Sequence, residues 1–528
     1  MKYIKYIGHG MIKNRVNIPY NRFSFIAILS LVYVALYSSA SVHNIYALNG
    51  RKAEMLFNVL LSYEFAFIML FSLTCLRSVF IIFLPFIFLI SAVSAYFITE
   101  YKIRVDERSL ALLFETPTGI INDFITYNLI WTSVSSLLIS ALAIWIFLKY
   151  DKKNAVNAKA IFLMVSFVFF AVGLDNNINQ NMPYNILNGG VKYTASKLNL
   201  STRYDVANLE SKVLPGNEDL IVVLVIGESA RADKFHINGY ERETTPNLEK
   251  IRNLINFPNV RSCSNLSIES KPCLLTRAEY HNRKEVRETS FISIFRKLNF
   301  DTIWFDNAHL YEQTMLNLGI TNIISESEVV VSKGYRYDTD YIDVMDQYID
   351  NAQTKTLMVV DTKGTHWPYD NNYTVKQWQP ICNVIGTRYG GHRQAREMSE
   401  CNPEALINSY DNSILAVDKY LSELINLLES KNALLVYVAD HGESLGEEGF
   451  FLHGQGSSSD TRVEQFHVPM MIWASDMFRQ RNSKKVQNIE AHSQKFIRHN
   501  SIFHSVLDCA GIESQALDKS LSLCSDLE

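Results

Sequence analysis

The chain has 528 residues, 48% of them hydrophobic, with 50 Lys and Arg against 54 Asp and Glu and a net charge of −4. That apolar content excludes a largely disordered chain, and the balanced charge excludes a dedicated nucleic-acid binder. A mean hydropathy of +0.00 is high for a soluble enzyme of this size, and dividing the chain explains it. Residues 1–174 carry 15 Lys and Arg and 8 Asp and Glu, a balance of +7, whereas the remainder carries 35 and 46, a balance of −11.

The first part reads as a membrane anchor. Residues 23–43 contain no Asp, Glu, Lys or Arg, and 55–76, 78–98 and 124–148 are similarly apolar; 160–174 (AIFLMVSFVFFAVGL) is a shorter fifth run. A spanning helix needs about 20 predominantly apolar residues. The succession of apolar runs, with no small-residue cleavage site, argues against a secretory signal peptide. With the N-terminus inside, ten basic residues fall on the inner side and five (Arg51, Lys52, Lys102, Arg104, Arg108) in the outer loops. The expectation is five spans and everything after 175 outside. Glu64, within the second span, is either a functional acid or a hydrogen-bonding group turned into the bundle.

Residues 175–218 are polar and irregular and read as a linker, with a helix lying along the membrane surface. From 219 to 528, apolar runs at 220–226, 302–305, 356–360, 433–439 and 470–473 read as strands. They alternate with helical patterns at 246–255, 290–298, 340–352, 404–429 and 498–510. Continuous apolar strands separated by helices predict an α/β domain with a mostly parallel sheet sandwiched by helices.

Cysteine usage fits this division. One of the seven, Cys75, lies in a predicted span. The other six, at separations of 10, 19 and 15 residues, read as three local disulfides in an oxidising compartment: Cys263–Cys273, Cys382–Cys401 and Cys509–Cys524. A zinc-thiolate site is the rival, but there is no C-x2-C pair.

Ligands of such sheets bind beyond the carboxyl ends of the strands. Gly227-Glu228-Ser229 follows the first strand, DTKGTHWPY the third, and Asp440-His441-Gly442-Glu443-Ser444 the fourth. A lone acid after a strand is ordinarily a helix N-cap. Glu228, Asp440 and His441 at one sheet edge, two of them consecutive, instead form the donor set a catalytic zinc accepts.

Five segments occur in order: VIGESARADKFHINGYERETTP (225–246), the cysteine-bounded loop 263–273, KGTHWPY (363–369), NSYDNSI (408–414) and ADHGESLGEEGFFLHG (439–454). Together they resemble the lipopolysaccharide/lipid A phosphoethanolamine transferases. These are bacterial inner-membrane, multi-pass enzymes with an alkaline phosphatase/sulfatase-like periplasmic domain. KGTH and QWQPIC (377–382) look closer to the branch that modifies the inner-core Kdo sugar.

The resemblance implies zinc (Zn2+), phosphatidylethanolamine as donor, lipopolysaccharide as acceptor, and a covalent phosphoethanolamine intermediate. The family places a threonine four residues after the first cysteine as nucleophile and zinc ligand; the matching residue here is Ser267, with Ser264, Ser270 and Thr276 as nearby rivals. His366 and His453 match histidines that hold a phosphate or a second zinc. His236 and His467 read as structural, and Asn408, Tyr410, Asp411 and Asn412 as capping and packing residues of a helix. The family's polar residues in the outer membrane loop do not carry over to ETPTG (115–119), and WFDN (304–307) lacks the basic residue some relatives place after it. Other readings are a phosphoglycerol transferase, sulfatase or phosphodiesterase of the same fold, or an inactive lipopolysaccharide-binding membrane protein. The absence of a C-x-P-S-R or S-x-P-S-R sequence argues against a sulfatase.

Overall fold

The computed structural model describes residues 21–38, 52–74, 76–101, 109–110, 125–151, 182, 184–198, 204–278, 288–307, 318–320, 322–325, 337–352, 354–374, 376–382, 386–389, 392–394, 398–454 and 462–527. The chain divides into two compact units, one of 1–96 and 131–187, the other of 97–130 and 188–528.

The apolar runs form helices lying mostly in the first unit: α1 (Arg22–Tyr33), continued by one wider turn to Ser38, α2 (Lys52–Leu73), α3 (Arg77–Tyr101) and α4 (Tyr127–Tyr150). Asn21 opens α1 by accepting a hydrogen bond from Phe23 N (3.0 Å). Among the described residues, three helices are long and apolar enough to cross a membrane: Leu56–Leu73, Arg77–Glu100 and Tyr127–Tyr150. The helix in the first apolar run, Arg22–Ser38, is shorter, and the fifth run at 160–174 lies outside the described residues; the described helices account for at least three of the five expected spans. Glu64 is exposed and does not turn into the bundle.

Buried Phe80, Phe88 and Phe147 pack between the helices, and hydroxyl side chains join them. Tyr33 pairs with Ser91 (2.6 Å), and Ser136 donates to the Phe88 carbonyl (2.8 Å). Phe23, Ile28, Leu56, Phe57, Phe86 and Leu138 point outward. An apolar exterior around a more polar interior suits helices packed in lipid. Within the segment expected to be a linker, the chain forms helix α5 (Tyr184–Leu198).

The second unit is built on an eight-stranded sheet. Its strands are β1 (Ile221–Gly227), β2 (Leu254–Arg261), β3 (Asp301–Asp306), β4 (Ile323–Ser325), β5 (Thr356–Asp361), β6 (Ala433–Ala439), β7 (His467–Ala474) and β8 (Ile497–Arg498), in the order β8-β2-β7-β6-β1-β5-β3-β4. The sheet is mixed, which corrects the expected mostly parallel one: β7 runs antiparallel to both β6 and β2. A strand covered on both faces is apolar throughout whatever its direction, so the run at 470–473 carried no information about polarity. Every residue of β1, β5 and β6 is buried.

A second correction concerns 246–255, where a helix was expected. The chain makes only a single helical turn at Leu248–Lys250 and then enters β2. Proline explains why β2 was hard to read. Its register against β7 slips between Val468–Val260 and Met470–Phe257, across Pro258 and Pro469, neither of which has an N–H for the ladder. Among the helices over the sheet, α6 (Ser267–Leu275) and α7 (Pro403–Leu428) matter most for the site. Asn402 caps α7 by accepting from Glu404 N (2.9 Å), and Pro403 sits at its first position.

Candidate active site

Parallel register builds the site. Gly227 of β1 is paired with Ala439 of β6, so the next residues, Glu228 and Asp440, leave the sheet side by side. Asp361, the last residue of the neighbouring β5, is level with Ile226 of β1 and with Asp306 of β3. Glycines let loops close over this edge. Gly364 has φ +48°, and a Cβ there would lie 2.9 Å from Glu228 N, so Lys363-Gly364-Thr365 lies directly on the turn. Thr365 fastens it with N and Oγ1 donors to the Glu228 carbonyl (3.0 and 2.9 Å). At Gly442 a Cβ would meet the Glu464 carbonyl at 2.1 Å.

The ligating atoms of Glu228, Asp440 and His441 lie within 4.8 Å of one another, and all three residues are buried. Asp440 Oδ1 accepts from the N–H groups of Ser229 (3.1 Å) and His441 (2.7 Å), while Oδ2 is buried without a hydrogen bond. His441 Nδ1 faces the Gly442 carbonyl at 2.9 Å, which makes Nδ1 the N–H donor and leaves Nε2 as the lone-pair donor toward the carboxylates. Two adjacent buried carboxylates are costly without a cation, and a lone carboxylate oxygen beside an imidazole nitrogen is what a divalent metal satisfies. The donor set therefore fits zinc.

Ser267 completes this group. It is the first residue of α6, at the positive end of the helix dipole, and its Oγ lies 3.1 Å from Glu228 Oε1 and 3.0 Å from His441 Nε2. The rival hydroxyls are elsewhere: Ser264 donates to Glu269 (2.7 Å) and Thr276 to the Pro272 carbonyl (2.7 Å). Ser270 Oγ is buried without a hydrogen bond. The Cys263–Cys273 disulfide brackets this segment, and Cys382–Cys401 and Cys509–Cys524 form as their spacing predicts.

His453 lies against His441, ring centres 4.0 Å apart and planes tilted by 42°, with Nδ1 3.1 Å from Glu443 Oε2. Burial lowers the basicity of His453, but the Glu443 carboxylate outweighs it and the ring sits above its ordinary value. His366 is pushed down to about 4 by burial, against the pull of Glu228. Burial also drives His441 down and Asp440 up. For Glu228, burial is overcome by the positive charge of Lys271, with His441 adding to it, and the carboxyl is held far below its usual range.

The structure thus brings together Glu228, Ser267, Asp440 and His441, with His366 and His453 electrostatically coupled to them. His236 and His467 bond to the Tyr240 and Pro258 carbonyls, as structural histidines do. Three participants went unread in the sequence. Lys271 is buried and reaches Glu228 (3.0 Å) and Asp361 (2.8 Å); its place four residues after Ser267 on one helix was the available signal. Glu443 was visible only as part of a motif. Tyr410, expected to be a packing residue, accepts from Arg231 N (3.0 Å) and donates to the Ser229 carbonyl (2.8 Å), fixing the turn after Glu228.

Residues 221–512 match the sulfatase family model, and 64–181 match the model described as phosphoethanolamine transferase EptA/EptB. The chain belongs to the sulfatase family, in its phosphoethanolamine transferase branch. Among curated relatives of this transferase, phosphoethanolamine transferase EptA of Escherichia coli (strain K12) is 27% identical over 476 residues, covering 83% of this chain and 84% of the relative. The fold matches the integral membrane lipooligosaccharide phosphoethanolamine transferase A (EptA) from Neisseria meningitidis with a TM-score of 0.79 at 23% identity, over 95% of this chain and 98% of that one. A zinc complex of the C-terminal periplasmic domain of EcEptC from Escherichia coli matches with a TM-score of 0.50 at 24% identity, over 60% of this chain and 89% of that one.

Proposed function

We propose that this transferase moves phosphoethanolamine from phosphatidylethanolamine to lipopolysaccharide, with Ser267 as the nucleophile, at the outer face of the bacterial inner membrane. The observation that carries the reading is the Ser267 hydroxyl at a helix N-terminus, in contact with Glu228 and His441. Held by Glu228, Ser267, Asp440 and His441, zinc would act as a Lewis acid that acidifies the hydroxyl and offsets charge on the phosphoryl oxygens.

The remaining chemistry belongs to the chain. Ser267 Oγ forms a bond to phosphorus, the bond to the glycerol oxygen breaks, and diacylglycerol leaves carrying the hydroxyl proton. A phosphate or hydroxyl of lipopolysaccharide then attacks the phosphoethanolamine-serine, and Ser267 regains a proton. His453, whose basicity the Glu443 carboxylate raises, would donate to phosphoryl oxygens when protonated. His366 stays neutral, with Nδ1 turned to the Trp367 carbonyl, and presents Nε2 as an acceptor. Anchoring the catalytic unit to the bilayer raises its effective concentration toward two lipid substrates.

The test is mass spectrometry of lipopolysaccharide from cells expressing wild type or Ser267→Ala. The expected result is a gain of one phosphoethanolamine group in wild type and none in the variant. Transfer that persists in Ser267→Ala removes the nucleophile assignment. Release of phosphoethanolamine to water with unmodified lipopolysaccharide would make the protein a phosphodiesterase.

A further inference from the structure

The Lys271 ammonium is out of place for an ordinary core residue. Its side chain is 2% exposed, and it lies at the end of the sheet rather than at the protein surface. Its partners are arranged as metal ligands would be. Asp361 presents both oxygens, Oδ1 at 2.8 Å and Oδ2 at 3.1 Å from Nζ. Glu228 is shared: Oε1 lies 3.1 Å from Ser267 Oγ and 3.4 Å from His441 Nε2, while Oε2 lies 3.0 Å from Lys271 Nζ and 3.3 Å from Ser267 Oγ. One carboxylate bridges the Ser267–His441 group and the ammonium, and a second carboxylate grips the ammonium from the far side. Two-metal phosphoryl-transfer sites use the same layout, with cations about 3.5–4 Å apart across a shared ligand.

We infer that Lys271 is a built-in second cation, occupying the position between Glu228 and Asp361 that a second metal ion would otherwise take. The inference rests on the metal reading of Glu228, Asp440, His441 and Ser267. Sequence supplies the means: Lys271 is one helical turn beyond Ser267 on α6, so the helix that presents the hydroxyl to one side of Glu228 presents the ammonium to the other. An ammonium cannot dissociate from the site as a metal ion can. It fixes the charge beside Glu228 and Asp361 at every zinc concentration and holds Glu228 as an anion. Lys271 is thus a positioning residue, acting on the reaction through Glu228.

The test counts zinc in the full-length protein purified in detergent, saturated with zinc and freed of excess. Lys271→Met removes the charge and keeps the stem; Lys271→Met combined with Asp361→Asn also removes the second ligand. Lys271→Met is expected to hold one more zinc per chain than wild type, and the double variant to return to the wild-type count. An unchanged count in Lys271→Met overturns the inference. So does recovery of folded protein only from the double variant, even when zinc is present throughout, because a metal then fails to replace the ammonium. Anomalous scattering at the zinc edge from zinc-saturated wild type decides independently of any variant: zinc between Glu228 and Asp361 overturns the inference, and its absence there, with zinc on Asp440 and His441, supports it. Zinc-bound wild type that transfers no phosphoethanolamine would remove the proposed function and leave this inference standing. Wild type that binds no zinc would remove this one.

Discussion

The two units of the molecule distribute polar groups in opposite ways. In the helical unit the exterior carries Phe23, Leu56, Phe86 and Leu138, while hydroxyls such as Ser30, Ser91 and Ser136 are inside. In the catalytic unit β1, β5 and β6 are wholly buried and mostly apolar, and charged groups, Asp361 at the end of β5 among them, are crowded where those strands end. Lipid already solvates apolar side chains, so the helices gain specificity from hydroxyl contacts. Water drives the sheet's side chains together, and the cost of charges at its edge is offset only where partners or ions satisfy them.

This contrast can be broken most sharply at the site. Ser267→Ala is expected to reduce transfer by at least about 10^3-fold, whereas Glu64→Gln, at an exposed position on α2, is expected to leave it unchanged. Equal losses in a lipopolysaccharide-modification assay would show that the acid in the membrane unit is part of the chemistry.

Chelation should separate the units next. Stripping zinc is expected to destabilise the catalytic unit by roughly 2.7 kcal/mol relative to protein held in zinc at 100 times the Kd, and so to lower its melting point. Helical signal from the membrane unit should persist. Loss of both in one transition, read by circular dichroism with and without chelator, would show that the units unfold together.

Acid should act on the catalytic unit through His499. Its Nδ1 accepts from Cys263 N (3.3 Å), its Nε2 donates to the Ala439 carbonyl (3.1 Å), and burial lowers it to about 3. An unfolded histidine titrates near ~6.5, so the neutral ring stabilises fully above that pH, and the contribution falls as pH drops toward the folded value. The slope is at most about 1.4 kcal/mol per pH unit. Chelated protein carrying His499→Asn should show a flatter dependence of melting temperature on pH between pH 6.5 and 5 than chelated wild type. Parallel curves would exclude His499 as the sensor.

The smallest effect belongs to the membrane unit. Tyr33→Phe deletes the hydroxyl that meets Ser91 and is expected to cost about 0.6 kcal/mol, the average for such bonds between helices in lipid. A loss of several kcal/mol in detergent unfolding would mean that the bundle depends on polar contacts as strongly as the catalytic edge does.

Much of the protein was legible in one dimension. Five of the eight sheet strands, three disulfides and the residues Glu228, Ser267, Asp440 and His441 all lie in local patterns or motifs. Direction and pairing did not. An apolar strand buried on both faces looks alike in either orientation, so the reversal of β7 needed its neighbours, and Pro258 disguised β2. Lys271 shows the limit most plainly. Its position on α6 follows from helical spacing, but a lysine four residues after a serine is usually a solvated side chain. That it is buried between Glu228 and Asp361 was decided by the register that sets β1 beside β5, which brings together carboxylates 133 positions apart in the chain. Sequence sets what each residue can do within a few helical turns or strand steps, and only pairing across the sheet decides which charges must share one buried space.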